Sequence, residues 1–453
     1  MDTPICDFVK QYAESGSLRL HMPGHKGTAF LGMETKDITE IPGADSLYEA
    51  EGIIRQSEEN ASGLFGCPTF YSTEGSSQCI RAMLYLAALD ARRKGKRLHI
   101  AAGRNAHKTF LSGAALLDWK VSWLYPEGKG SYLSCRLTPE GLEAWFRAAE
   151  ERPSAVYLTS PDYLGNTVDI AGMAKVCRQY GALLLVDCAH GAYLKFLPES
   201  EHPMDLGADL GCCSAHKTLP VLTGGAYLHV GAGLAGFAKN ALALFGSTSP
   251  SYLILQSLDA ANRYLERYPE TLAAFLPQVE GLKKRLEKSG YCLYGDEPLK
   301  LTFSAKAYGY EGTALGQTLA EKGIVCEFSD PDFLVLMLTP EIGEEGLKRL
   351  EEALQSISRK APVTSRPPEP PRPERVLSIR EAALSPSERV SVSRSLGRVL
   401  AAATVGCPPA VPVVVCGERI DEQALRCFRY YGVTNVEVIE SQALAQMQES
   451  CKV

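Results

Sequence analysis

Between about Glu51 and Gly231 the chain alternates short, wholly apolar runs with stretches whose apolar residues recur at helical spacing. Apolar runs bounded by turn residues indicate strands buried on both faces, and a period near 3.6 indicates helices that cover them. The pattern predicts strands at Leu98–Ala101, Val121–Leu124, Ala155–Thr159, Ala182–Val186 and Gly225–Val230. Helices are predicted at Ser76–Arg93, at Pro139–Glu151 behind the N-cap Thr138, and at Ile170–Tyr180 behind Asp169. Such alternation builds βαβ units, so the expected fold class is α/β with a mostly parallel sheet.

Outside that core the pattern changes. Residues 1–50 are poor in long apolar runs and rich in Gly, His and Pro, which predicts an N-terminal arm lying on the core or on a partner subunit. The large domain is placed at 51–248, followed over 249–360 by a smaller α+β domain of long helices with few strands, one of them Phe333–Leu338. Six prolines between Ala361 and Val376 predict an extended, semi-rigid linker at 361–376. A small C-terminal domain is expected over 377–453, with a helix at Val390–Ala403.

Composition narrows the function. With 45% hydrophobic and 22% charged residues, the 453-residue chain can bury a large core in two or three domains. Its 47 basic and 53 acidic residues leave a net charge of −6 with no basic stripe, so small-molecule chemistry is expected and nucleic-acid binding is not. The start, M-D-T-P-I-C-D-F, shows no export signal, and no apolar run approaches the roughly 18 residues of a membrane span. A cytosolic location without membrane contact is expected. The 14 cysteines are scattered through predicted elements and should be reduced core residues. Adjacent Cys212 and Cys213 would face opposite sides of a strand, no C-x-x-C pairs with another, and no metal is expected.

The chemistry concentrates at two places. Lys217, in S-A-H-K-T, follows Asp187, in V-D-C-A-H-G, by thirty positions. Pyridoxal 5'-phosphate needs an amine to form an imine and an acid to hold the proton on its pyridine nitrogen. Asp187 ends an apolar strand, where open α/β sheets bind ligands. Lys217 sits among small, weakly polar residues, where desolvation favours the neutral nucleophile. Each alone has a plain structural explanation; together they point to the cofactor. T-E-G-S-S at Thr73–Ser77 precedes a helix, so Gly75, Ser76 and Ser77 form a candidate phosphate cradle. His107 opens the helix after the second strand and could stack on the pyridine ring, although a capping role explains it as well. Ser214 and His216 could add phosphate donors, and His190 could bond near the acid or the cofactor.

Read together, several motifs resemble one family. H-M-P-G-H-K-G from His21, D-I-T-E-I-P-G-A-D-S-L from Asp37, T-E-G-S-S, G-R-N-A-H-K, T-S-P-D-Y-L-G from Thr159, V-D-C-A-H-G-A, S-A-H-K-T-L-P and P-P-A-V-P-V-V-V-C-G-E-R-I from Pro408 resemble the Orn/Lys/Arg decarboxylases, fold-type-I (aminotransferase-like) pyridoxal-phosphate enzymes. The resemblance implies decarboxylation of arginine, lysine or ornithine to the amine and CO2. It also implies a homodimer or higher oligomer with shared active sites. It would place the cofactor on Lys217, its ring nitrogen on Asp187, its ring face under His107 and its phosphate on Ser76, Ser77, Ser214 and His216. Two positions depart from the family's D-E-A-H-G-A-H run: Cys188 replaces Glu and Tyr193 replaces the second His. The chain is also expected to be a compact form lacking the N-terminal wing domain. For a substrate's distal cation the candidate acids are Asp45 and Glu418, each also explicable as structural. Phe333–Pro340 contains no arginine to clamp the α-carboxylate, which favours decarboxylation. A transaminase or lyase acting on another amino acid, or a catalytically degenerate paralogue, remains the alternative.

Overall fold

The computed structural model describes residues 1–450 except 127, 129 and 403–410. Its elements begin with α1 (Pro4–Glu14), α2 (Ile53–Phe65), β1 (Thr69–Ser72), α3 (Gly75–Arg93), β2 (His99–Gly103), α4 (Lys108–Leu117) and β3 (Lys120–Leu124). There follow α5 (Pro139–Ala148), β4 (Ala155–Thr159), α6 (Ile170–Gln179), β5 (Leu183–Asp187), β6 (Leu210–Cys213), α7 (Ala215–Thr218) and β7 (Ala226–Val230). The chain packs as two units, one of residues 1–96, 170–275 and 339–341, the other of 97–169, 276–338 and 342–453.

In the first unit the strand order is β1-β7-β6-β5. β5 and β6 run parallel with Asp187 opposite Cys212, whereas β7 is antiparallel to both β6 and β1. α3 lays its apolar face, Ile80, Met83, Leu84 and Ala87 among others, over these strands. α1, absent from the predicted elements, begins with Pro4 at a first-turn position where its missing N–H is no loss. The Ile5 and Cys6 amides both donate to Asp259 Oδ2 at 2.9 Å. Residues expected to form only an arm are thus anchored through a helix, and beyond it Leu18, Leu20, Phe30 and Leu31 are largely exposed.

The second unit contains β4-β2-β3, all parallel. α5 starts where predicted, with Thr138 Oγ1 accepting from Gly141 N at 3.0 Å. It stops at Ala148, short of the predicted Glu151, where Ala149 turns to extended backbone at φ −70° and ψ 124°. A second sheet joins β8 (Leu293–Tyr294), β9 (Lys300–Ser304), β10 (Phe328–Ser329) and β11 (Phe333–Met337) in the order β10-β11-β9-β8. The proline-rich stretch has no helix or strand through residue 374, yet Val363 N donates to Lys306 O at 3.0 Å, so it is tied down.

The helix expected at Val390–Ala403 is not formed. β12 (Ser387–Ser391) pairs antiparallel with β13 (Asn435–Ile439), a 3-10 turn covers Val392–Arg394, and Val399 and Leu400 make isolated bridges. Val390 and Val392 are β-branched, and with Val436 and Val438 they bury one small core, so a strand partner distant in sequence overrode the local pattern. Ala403, and the first residues of the Pro408–Ile420 motif, lie outside the described residues.

Candidate active site

The carboxyl ends of β5 and β6 bring the first unit's predicted residues together. Asp187 closes β5 and is 2% exposed. Its Oδ1 accepts from Ala189 N at 3.2 Å and lies 3.7 Å from Cys212 Sγ. Burial, then the nearby Asp187 charge, pushes the Cys212 thiol well above its ordinary value, so this neighbour stays a neutral donor to the carboxylate. Burial likewise pushes the Cys79 thiol up to about 12.

Leaving β6, the chain turns at Ser214 into the single-turn helix α7, which carries Lys217. Lys217 Nζ lies 2.9 Å from His190 Nε2. Ser214 Oγ donates to Ser76 Oγ at 2.9 Å, joining the lysine segment to the first turn of α3. Glu74, at the N-cap of α3, makes no side-chain hydrogen bond to that turn, which leaves the helix end to act through its amides and dipole. Gly75 holds φ +69° there and donates its N–H to Gly224 O at 2.7 Å. A Cβ on Gly75 would come 4.0 Å from His216 Cε1, so the backbone runs close beneath that imidazole. His216 donates through Nδ1 to Gly225 O at 2.9 Å.

Hydroxyls and a helix end for a phosphate, a buried acid at a strand end for a ring nitrogen, and an amine beside an imidazole are the donor set that pyridoxal phosphate requires; the residues present fit it. His107, in the second unit, is the N-cap of α4, with Nδ1 2.9 Å from Thr109 Oγ1 and accepting from Thr109 N at 3.2 Å. Both residues that depart from the family run, Cys188 and Tyr193, are fully buried.

The two acids considered for a distal cation have internal partners. Asp45 caps the start of α2: Oδ1 receives the amides of Ser46 and Glu51, and Oδ2 those of Gly52 and Ile54, at 2.8–3.0 Å. Those amides outweigh its desolvation and lower its carboxyl pKa. Glu418 Oε2 receives Arg104 Nη2 at 2.9 Å and Val415 N at 2.7 Å. Burial raises the Glu418 pKa, and the Arg104 charge opposes the rise. The His190–Lys217 contact is a pairing sequence reasoning did not make. Its one available signal was the short stretch between Asp187 and His190, which keeps both at the same strand end.

Comparison with known proteins agrees with this geometry. Residues 3–295 match the Orn/Lys/Arg decarboxylase major domain and residues 373–438 the C-terminal domain of the same family. An arginine decarboxylase of Bacillus subtilis (strain 168) is 28% identical, over 93% of this chain and 92% of its own. The protein YaaO of the same strain is 29% identical over 99% of each chain. Among solved structures, the Francisella novicida lysine decarboxylase superposes with a TM-score of 0.78 at 16% identity, covering 97% of this chain and 81% of that one. A NifS-like protein reaches 0.55 at 14% identity, over 78% of this chain and 95% of its own, a likeness of fold alone. Among the described residues no helix is long and apolar enough to cross a membrane. With both of its domains matched in order along the chain, this protein belongs to the Orn/Lys/Arg decarboxylase family and is an amino-acid decarboxylase.

Proposed function

We propose that the protein is a cytosolic, pyridoxal-phosphate-dependent decarboxylase of basic amino acids, with arginine the first substrate to test among arginine, lysine and ornithine. The observation that carries this reading is the convergence of buried Asp187, the Ser76–Ser214 hydroxyl pair and the Lys217–His190 contact at the ends of two parallel strands. The arginine preference rests on the named relatives.

Lys217 would hold the cofactor, and Asp187 would keep the proton on its ring nitrogen. Ser76, Ser77 and Ser214 would hold the phosphate together with the amides of α3. Because His216 already donates its Nδ1 proton to Gly225 O, it can donate to a phosphate only through Nε2, as the imidazolium. His107 would cover one ring face. When bound, the cofactor supplies an electron sink for the pair left at Cα as CO2 departs. Lys217 would return a proton to Cα, and His190, 2.9 Å from its Nζ, would exchange that proton. The existing partners of Asp45 and Glu418 favour structural roles for both acids.

We also propose a homodimer, supported by Leu18, Leu20, Phe30 and Leu31 beyond α1, four large apolar side chains each largely exposed to water.

The deciding experiment incubates cofactor-loaded protein with arginine, lysine, ornithine and a neutral amino acid, and measures CO2, amine and keto acid. CO2 and amine in equal amounts from a basic substrate are expected. Keto acid without CO2 would replace this reading with a transaminase. Cofactor binding with no turnover of any substrate would indicate a degenerate paralogue.

A further inference from the structure

On the opposite face of β6 from Asp187 lies a second group of side chains that the decarboxylation chemistry does not use. His202, Cys213 and His229 are all fully buried. In the antiparallel pairing of β6 with β7, Cys213 stands opposite Tyr227 and Gly211 opposite His229. With side chains alternating along a strand, Cys213 and His229 therefore share one face while Cys212 turns to Asp187 on the other. His202 reaches the same face from the loop before β6, with Nε2 3.7 Å from Cys213 Sγ. One ligand-capable atom from each of the three lies within 4.8 Å of the other two. Opposite His229 the Met204 thioether fills the place of a side chain on Gly211, its Sδ 3.5 Å from where a Cβ would stand, and Phe65 packs on both imidazoles, its ring centre 5.5 Å from that of His202 and 4.7 Å from that of His229.

The surrounding hydrogen bonds point to one tautomer of His229. With the single Thr69 Oγ1 proton given to Cys67 O at 3.0 Å, the 3.0 Å contact with His229 Nδ1 is donated by the imidazole. Nε2 is then an unprotonated acceptor, and it is buried with no hydrogen-bond partner. His202 Nδ1 is also buried without a partner. An imidazole whose far nitrogen donates to an anchored oxygen, while its near nitrogen presents a bare lone pair, is how proteins orient a histidine for a metal.

We propose that His202, Cys213 and His229 form a buried metal site of two imidazoles and one thiolate, with zinc the ion to test. Nitrogen and sulfur donors match that ion, which hard, oxygen-seeking cations would not replace. Ligands stand about 2.0–2.3 Å from zinc, so the three donors need to close by only about 1 Å from their present spacing. Binding exchanges the Cys213 S–H bond for an S–Zn bond and releases one proton to solvent. With every donor fully buried, the ion enters as the chain folds and leaves slowly. Its role is structural: it clamps β6 to β7, the two strands between which the Ser214–Gly225 segment carries Lys217.

The test uses the full chain without a polyhistidine tag, expressed with added zinc, passed through chelator-containing buffer and analysed for metal by mass spectrometry. About one zinc per chain is expected, with a zinc-edge X-ray absorption spectrum showing one sulfur among nitrogen scatterers. Cys213→Ser and His202→Ala should each lower retained zinc at least about tenfold, while Cys292→Ser, at an exposed thiol, should not. If Cys213→Ser fails to fold, His202→Ala carries the same comparison from a loop. Folded wild-type protein with less than about a tenth of an equivalent of zinc would overturn the proposal, as would undiminished zinc in His202→Ala.

Discussion

If Lys217 holds the cofactor and Asp187 its ring proton, as proposed, their substitutions should separate. Lys217→Ala removes the attachment point, so borohydride treatment should no longer fix pyridoxal to the protein, and turnover should fall by roughly 10²–10⁴ with the loss of proton transfer. Asp187→Asn should retain the cofactor but lose about a hundredfold or more in turnover, because an amide cannot hold the pyridinium proton. Normal turnover in the asparagine variant would remove Asp187 from its role. Glu418 belongs to a different category. Its ion pair with Arg104 is almost wholly shielded, the two side chains being 4% and 10% exposed, so Glu418→Gln strands a buried guanidinium. A loss of roughly 3–5 kcal/mol in denaturant-unfolding stability is expected, with the ranking of arginine, lysine and ornithine unchanged.

Short elements set the site through backbone conformation. Gly224 has φ +103°, and an added Cβ would meet Thr73 O and Ile254 Cδ1, each at 2.9 Å. Because Gly224 O also receives the Gly75 amide, Gly224→Ala disturbs the first turn of α3 directly. The expected result is about 1–3 kcal/mol of lost stability and weaker pyridoxal-phosphate binding in a fluorescence titration, with the absorbance of the residual complex unchanged. In the second sheet, Asp330 caps the turn between β10 and β11, its Oδ1 accepting from Asp332 N at 2.8 Å and Phe333 N at 2.7 Å. Burial pushes its carboxyl from 3.8 to about 6, with the Asp332 charge adding and the two amides and Lys306 opposing. A raised acid pKa means the folded state binds the proton more tightly. Its stabilising contribution is therefore complete below pH 3.8 and disappears as pH climbs through about 6. Unfolding stability should decline by at most about 3 kcal/mol over that window from this group, and the decline should vanish in Asp330→Asn. An unchanged pH slope in the variant would show that the carboxyl titrates normally.

For the molecule as a whole, the exposed Leu18, Leu20, Phe30 and Leu31 after α1 bear on assembly. Sedimentation analysis should show a dimer or larger assembly, and Leu20→Glu with Phe30→Glu should shift it toward monomer because charges cannot be buried there unpaired. A monomeric wild type at micromolar concentration would withdraw the dimer. Where helices and strands are long and obey one period, the sequence placed them closely: Ser76–Arg93 was expected against Gly75–Arg93 observed, and Ala155–Thr159 was matched at both ends. β1 and β6 escaped, since T-F-Y-S and L-G-C-C are too short for a period, and β6 carries glycine and cysteine where valine would announce a strand.

The sequence by itself determined the α/β class, the family, and the roles that follow from residue type: an amine at Lys217, an acid at Asp187, hydroxyls at Ser76 and Ser214. These are local properties, carried by composition, period and short motifs. Only the tertiary structure decided which groups meet. It set His190 against Lys217 and Ser214 against Ser76, gave Asp45 and Glu418 to helix capping and an ion pair, turned Val390 into a strand, and brought His202, Cys213 and His229 together across two strands and a loop. The reason is physical: a contact between residues far apart in sequence depends on strand order and register, which arise from packing the whole core and leave no periodic trace in the residues that touch.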